Sequence, residues 1–365
     1  MSDNDIHLSD NDIHRVLADA PTRTDHRSQV PAIDTAYHLD GGLTRTERSR
    51  PEPGPHQVLI RVRAASVNRR DLMLMDGTYP LPATPGIVPL SDGVGEVIAL
   101  GSGVTGARIG DRITASYFVH WVDGPQTLAT AAEQYGANFD GFLATYALIE
   151  EDSIVHVPAH LTDAEAATLS CAGLVAWSAL TTPAPLAPGA RVLTVGSGAV
   201  ALYAIQFAKI LGAEVISITS SQEKTDRLRA LGADAVIDRT VTTDWGDAVM
   251  EMTGTGAEHI VDAVGLPTLE QSVRAGAYNS TVTMIGAMTP APGTTRPDNL
   301  FGSSYLSIRR IAVGSRTNFE AMNRAITEHR LRPVIDREFD FDDAVEAYDY
   351  LRSGASFGKV VIAVG

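Results

Sequence analysis

The sequence predicts an α/β protein in two parts: a doubly wound parallel sheet, and a β-rich unit that precedes it. Three observations predict this. The chain has 365 residues, room for two domains at about 100–200 residues each. After Leu161 the pattern alternates strand and helix, as a parallel sheet requires. A glycine-rich turn, Gly196-Ser-Gly-Ala-Val-Ala201, separates an apolar strand from an amphipathic helix. A content of 44% hydrophobic and 20% charged residues suits full cores.

The first 33 residues are set apart as a flexible extension. They are polar and acidic, and the hexapeptide SDNDIH occurs twice, at Ser2–His7 and Ser9–His14. With His26 this gives three histidines, either a metal-binding tail or simply a solvated extension, the reading preferred here. The start lacks the basic and apolar regions of a signal peptide. From Thr35 to about Pro158 the chain reads as β-rich. HQVLIRVRAASV alternates like a half-buried strand, and GVGEVIALGSGV and DRITASYF follow between glycine turns. Asp123–Asp140 reads as a long loop with a short helix. Strands are then expected at Val192–Val195, Glu214–Ile218, Ala235–Ile237, Ile260–Val264, Thr281–Ile285 and Arg310–Val313. Helices are expected at Ala199–Leu211 and Gln222–Leu231. The final FDFDDAVEAYDYLRSGASFGKVVIAV reads as helix then strand, returning to the first unit.

The turn reads G-x-G-x-x-A in the strand–turn–helix context of a dinucleotide-binding Rossmann unit. Gly196 permits the turn, Gly198 lets the backbone approach a pyrophosphate, and Ala201 packs the helix on its strand. Ser197, Ala199 and Val200 present backbone N–H groups at the helix start. The other reading is a tight turn without ligand. An NAD site usually carries a carboxylate about 20 residues on. Here the second strand ends in Thr219, Ser220 and Ser221, with Lys224 one turn later and Arg239 after the third strand. Hydroxyls and cations suit a 2′-phosphate, so NADP is preferred over NAD. Lys224 alone reads equally as a solvated helix charge.

Lys plus Arg total 29 against 44 Asp plus Glu, a net charge of −15 and a pI near 5.0. This argues against nucleic acid and anionic membranes as partners. Proline interrupts the longest uncharged stretch, Ala166–Ala190, so no spanning helix is expected. The single cysteine, Cys171, excludes an internal disulfide and a four-thiolate zinc site, and makes cytoplasm the expected compartment.

With these residues in place, the chain resembles the medium-chain dehydrogenase/reductase superfamily. The likeness is carried by VLIRVRAASVNRRDLMLMDGTYP, PGIVPLSDGVGEVIALGSGVTGARIGDRI, AATLSCAGLVAWSAL, VLTVGSGAVALYAIQFAKILGAEVI, LGADAVID, VGSR and FGKVVI. The nearest branch is the zinc-independent, quinone-oxidoreductase-like and NADP-dependent alcohol-dehydrogenase-like one. The resemblance implies a GroES-like catalytic domain over 34–160 plus 325–365, a Rossmann domain over 161–324, and an active site between them. Zinc-using members place Cys at Asn68, His-Glu at Ser91-Asp92 and a third ligand at Cys171. One retained ligand of three implies no metal. Cys171 then reads as a buried apolar residue rather than a reactive thiol.

The resemblance further implies hydride transfer between nicotinamide and a small molecule. Without a metal, an activated C=C bond or quinone needs less polarisation than a simple carbonyl, whose reduction stays open. Asn68 is the first-choice polar group near the nicotinamide, and Asp71 fixes its loop. Tyr79 either donates a proton or packs at a turn. Ser91 and Asp92 line the pocket. His120 and Trp121 read as pocket mouth or plain loop, and Arg70 as anion attractor or ion pair. Gly286, Ala287, Gly314, Ser315, Arg316 and Lys359 fall in cofactor-side segments. Arg316 either binds phosphate or ties the domains together. Where relatives have a Pro-Gly-Gly turn, this chain has Ala277-Tyr-Asn-Ser280, with Asn279 able to take a left-handed backbone. The expected protein is an NADPH-dependent, metal-free homodimeric oxidoreductase. The alternatives are an NADP-dependent alcohol dehydrogenase, and a non-redox biosynthetic enzyme or binding protein.

Overall fold

A computed structural model describes residues 31–183, 185–286 and 305–365. The SDNDIH copies, their histidines and Ala287 lie outside these residues. A hairpin of β1 (Ile33–Leu39) and β2 (Leu43–Ser49) comes first. Next come β3 (Gln57–Val67), β4 (Asp92–Leu100), β5 (Arg112–Ala115), β6 (Tyr146–Glu150) and β7 (Ile154–His156). The tail returns to this sheet as β14 (Ile335–Asp340) and β15 (Lys359–Ala363), in the order β14-β15-β3-β4-β5-β7, with β6 also on β3.

β3 is more buried than its alternating pattern predicts, and nothing beyond Arg63 is exposed. The reason is that Ala64 packs into the core shared with the second unit while Ala65 faces the core of its own. β15 pairs antiparallel with Ala64–Val67 of β3, and β6 pairs with Gln57–Arg61. The expected short helix of the long loop is Leu128–Ala132.

The second sheet contains β8 (Arg191–Val195), β9 (Glu214–Thr219), β10 (Ala235–Asp238), β11 (Ala257–Asp262), β12 (Gly276–Met284) and β13 (Ser307–Arg310). All pairs are parallel, in the order β10-β9-β8-β11-β12-β13. This is the dinucleotide-fold order, whose switch point lies between β8 and β11. The helix Ala199–Ile210 is buried on nearly every side, with Phe207 against Trp177 at 5.4 Å.

Four expected elements shift. β12 begins earlier because Asn279 takes φ 63 within it and absorbs a register slip against β11. β11 stops at Asp262 rather than Val264 because the Asp262 carboxylate accepts from the N–H groups of Val264 and Gly265, turning the chain. β13 lies three residues before the expected Arg310–Val313, because Val313 turns at φ 42 into Gly314. Gln222–Lys224 is a tight 3-10 turn ahead of the helix Thr225–Ala230. The expected division at 324/325 falls inside the helix Arg316–His329. One apolar cluster spans both units, joining Val94, Phe118 and Val155 to Leu174, Phe207 and Met322. Among the described residues no helix is long and apolar enough to cross a membrane.

Candidate active site

Asn68 precedes the short helix Arg69–Met75, and its backbone is pinned there. Its N–H donates to Asp71 Oδ2 at 2.8 Å, and its carbonyl accepts from the Asp71 N–H at 3.0 Å. Asp71 therefore does fix this loop. Burial raises its carboxyl to about 6, against the opposing pull of Arg70.

Lys359, expected in a cofactor-side segment, projects from β15 toward Asn68 and Asp92 of the catalytic unit and is 2% exposed. The lysine reaches across because β15 pairs with β3 just beside Val67. Nζ donates to Asn68 Oδ1 at 2.6 Å, Asp92 Oδ2 at 3.2 Å and the Val67 carbonyl at 3.3 Å. The Ser66 hydroxyl donates to Asp92 Oδ2, and the Ser91 hydroxyl to Asp92 Oδ1. An ammonium thus sits beside Asn68 and Asp92, where the resemblance implies the metal ligands of zinc-using members. The amide of Asn68 gives its oxygen to that ammonium, and its Nδ2 is buried without a partner.

Cys171 occupies a one-turn π-helix, Leu169–Gly173, a distortion that gathers at functional sites. Scarce water and the Asp92 charge push its thiol up, so it stays protonated. Among the described residues no three His, Cys, Asp or Glu side chains converge as a metal site. This donor set, with its resident cation, does not fit a divalent zinc.

A second polar group adjoins the first. Arg70 is buried and forms the ion pair that is one of its two readings in the sequence, its Nη1 lying 3.6 Å from Asp71 Oδ1. It also donates to the Tyr135 carbonyl at 2.9 Å and lies 4.8 Å from the Tyr117 ring and 5.4 Å from the Tyr79 ring. The Tyr79 and Tyr117 hydroxyls are 2.8 Å apart, and each reaches Gln134 Oε1 at 3.2 Å. Tyr117 is enclosed, and burial holds its hydroxyl well above the ordinary tyrosine value. Tyr117 and Gln134 were missed in the sequence. Only their spatial convergence marks them, since Gln134 lies in an irregular loop. His120 turns away to Asp152 at 3.3 Å, and Trp121 packs on Phe118.

On the other sheet, Gly196 has φ 109. Gly198 precedes the twelve-residue helix Ala199–Ile210 with no side-chain cap, and a Cβ there would meet nothing within 4 Å. The turn thus leaves an open cradle beside the N–H groups of Ala199 and Val200, a shape that fits a pyrophosphate. Ser197 is the middle residue of that turn. A Cβ on Gly286 would lie 2.0 Å from the Val264 carbonyl carbon, so the loops after β11 and β12 touch. Asp262 sustains this approach. Besides the N–H groups of Val264 and Gly265, it accepts from the hydroxyls of Thr268 and Ser272.

At the tip of β9 the buried Thr219 hydroxyl is taken up by the N–H of Ser221, while Ser220 is exposed. Arg239 is exposed, and its N–H donates to the Thr219 carbonyl, which sets the two strand tips side by side. Asp238, overlooked in the sequence, caps Thr240 beside them. Ser315 caps the helix Arg316–His329 through the Asn318 N–H. Gly314 packs so closely that a Cβ would meet Ser178 Oγ at 2.4 Å. Arg316 ties the two units: its guanidinium donates to the Asp152 carbonyl, and its N–H to the Trp121 carbonyl.

The alcohol dehydrogenase GroES-like domain matches residues 54–159, and the zinc-binding dehydrogenase domain matches 199–328. A zinc-type alcohol dehydrogenase-like protein of Schizosaccharomyces pombe is 36% identical over 316 residues, 85% of this chain and 91% of that one. An acryloyl-coenzyme A reductase of Metallosphaera sedula is 28% identical, covering 91% and 99%. The crystal structure of a putative alcohol dehydrogenase from Sinorhizobium meliloti 1021 superposes with a TM-score of 0.84 at 37% identity, covering 92% of this chain and all of that one. Two sheets of the right order, a glycine cradle and these matches agree: the chain belongs to the medium-chain dehydrogenase/reductase superfamily, oxidoreductases that use a nicotinamide cofactor.

Proposed function

We propose that this protein is an NADPH-dependent oxidoreductase that works without zinc, passing hydride to an activated C=C bond, a quinone or a carbonyl of a small molecule. The observation that carries the reading is the Lys359 ammonium lodged between Asn68 and Asp92. A site that already holds a buried cation has no use for a second.

The cradle at Gly196, Ser197 and Gly198 would hold the pyrophosphate, and Gly286 and Gly314 would lie on the nicotinamide side; Ala287, assigned to the same side by the resemblance, lies outside the described residues. Ser220, Ser221, Lys224 and Arg239 supply hydroxyls and charge for a 2′-phosphate. The nearby Asp238 carboxylate is already engaged by Thr240. When bound, the reduced nicotinamide supplies a hydride. The chain's own part is to hold the acceptor and manage its charge. Hydride addition to a conjugated carbon moves an electron pair onto the carbonyl oxygen. Asn68 Nδ2, buried and unpartnered, donates to that oxygen. Tyr79 Oη, backed by Tyr117 and Gln134, holds the proton that completes the reduction. Asp71, Ser91, Asp92 and Cys171 shape the surroundings.

Carbonyl or alcohol substrates are the second reading, favoured by relatives such as the Sinorhizobium meliloti protein. A homodimer fits the free edge of β13 among the described residues, flanked by exposed Tyr278 and Tyr305. The single cysteine suits a cytoplasmic setting.

Fluorescence titration and a turnover screen test the proposal. NADPH binds at least about tenfold tighter than NADH, given the worth of a charge-assisted phosphate contact. Enones or quinones oxidise NADPH at full rate after exhaustive chelation. Equal cofactor affinities, or activity that tracks bound zinc, would overturn it.

A further inference from the structure

We infer that Lys359 and Asp92 form an orienting device, which aims the Asn68 amide so that its Nδ2 meets the substrate oxygen. The inference rests on the reaction proposed above and assigns these two residues a positioning role within it.

An amide can present either end to a neighbour, and its two ends have opposite hydrogen-bonding character. An ammonium has three donors and no acceptor, so only the oxygen of Asn68 can face Lys359 Nζ at 2.6 Å. The amide orientation follows from this contact. Nδ2 must point away from the lysine, and it finds no partner there although Asn68 is only 8% exposed. A buried donor without a partner calls for an explanation, and at this site a substrate oxygen supplies one.

Lys359 itself is not the donor to substrate. Its three protons are committed to Asn68 Oδ1, Asp92 Oδ2 and the Val67 carbonyl. Asp92 holds the ammonium in place and is held in turn by the hydroxyls of Ser66 and Ser91. The Asn68 backbone is fixed independently by Asp71. With the backbone fixed, the contact to Lys359 holds the side chain and removes the amide flip.

A mutant cycle tests this. The K359M/D92N double variant removes the ion pair together, so no buried charge is left alone. It is expected to bind NADPH normally and to keep the acceptor KM within about threefold, while kcat falls on the order of 10²-fold, the usual cost of one oxyanion donor. N68A in the wild-type background loses a similar factor. N68A added to K359M/D92N costs less than about threefold more, because the amide is already unaimed. Losses that multiply, or an unchanged kcat in K359M/D92N, overturn the inference. D92N alone is the second variant. It keeps the lysine and is expected to show the same non-additivity with a roughly tenfold fall in kcat.

An arm independent of turnover uses protein labelled with 15N-asparagine. The Asn68 Nδ2 signal, assigned by its loss in N68A, is expected to show the 15N relaxation order parameter of a rigid group in wild type. In K359M/D92N that order parameter is expected to fall below about 0.6, because the amide then turns about its Cβ–Cγ bond. An unchanged order parameter overturns the inference. If wild type oxidises NADPH with no enone, quinone or aldehyde, the proposed reaction fails while this arm still decides the orientation.

Discussion

Asp71 holds its proton in the native state up to a higher pH than an ordinary aspartate would. Burial lifts its carboxyl from 3.8 to about 6, with Arg70 and Lys359 pulling the other way and Asp92 adding to the rise. Between those values the folded chain keeps a proton that the unfolded chain has released. The stability from this proton is present in full below about pH 4 and is lost as pH rises through 6, amounting to about 2–3 kcal/mol. Denaturant unfolding at pH 4, 5, 6 and 7 should therefore show wild type losing that much relative to D71N. Curves that stay parallel would remove the assignment. Also at the residue scale, K224A should raise the NADPH dissociation constant about tenfold and leave that for NADH unchanged. An equal effect on both would make Lys224 a plain surface charge. The two readings of that lysine in the sequence can be separated in no other way, because charge and spacing are identical in both. Tyr117 and Gln134 were illegible for a different reason. Their site is made by side chains from a strand end and an irregular loop, and no periodicity links them.

The strand–turn–helix element at Gly196–Ile210 was legible because its physics is local. A tight turn needs glycine, an unobstructed helix start needs a missing side chain, and both lie within a few residues. The element at Gly286 was harder, since its glycine answers to a loop after another strand. These two glycines make opposite predictions. G198A adds a methyl group to open space, so thermal stability should change by no more than about 1 kcal/mol. Pyrophosphate binding should weaken at least about tenfold, because the methyl enters the cradle. G286A forces a methyl group into the Val264 backbone and should cost several kcal/mol of stability. Calorimetry with cofactor titration on both variants checks the contrast, and a destabilised G198A with normal affinity would refute the open cradle. The same locality explains the β12 shift. Asparagine tolerates a left-handed backbone, and Asn279 takes one at φ 63. Its effect on the strand's starting point depends on the neighbouring β11, which lies outside any local window.

At the scale of the molecule, the two units share an apolar cluster from Val94 and Phe118 to Phe207 and Met322. Arg316 and the bidentate pair of Arg332 with Glu165 add polar ties across it. Such a shared core predicts one cooperative unfolding transition, with tryptophan fluorescence and far-ultraviolet dichroism coincident. Two resolved steps would show the units to be energetically separate. The return of the tail to the first sheet was legible as a helix followed by a strand. Its lysine was not, because a buried charge on an apolar strand looks in the sequence like a solvated end. That lysine also has a consequence for the order of synthesis. Asn68 and Lys359 are 291 residues apart, and every strand of the parallel sheet is translated between them. Until the last strand is made, Ala64–Val67 keeps an open backbone edge and Asp92 lacks its counter-ion. The proposed site is thus assembled only after every strand of the parallel sheet has been synthesised.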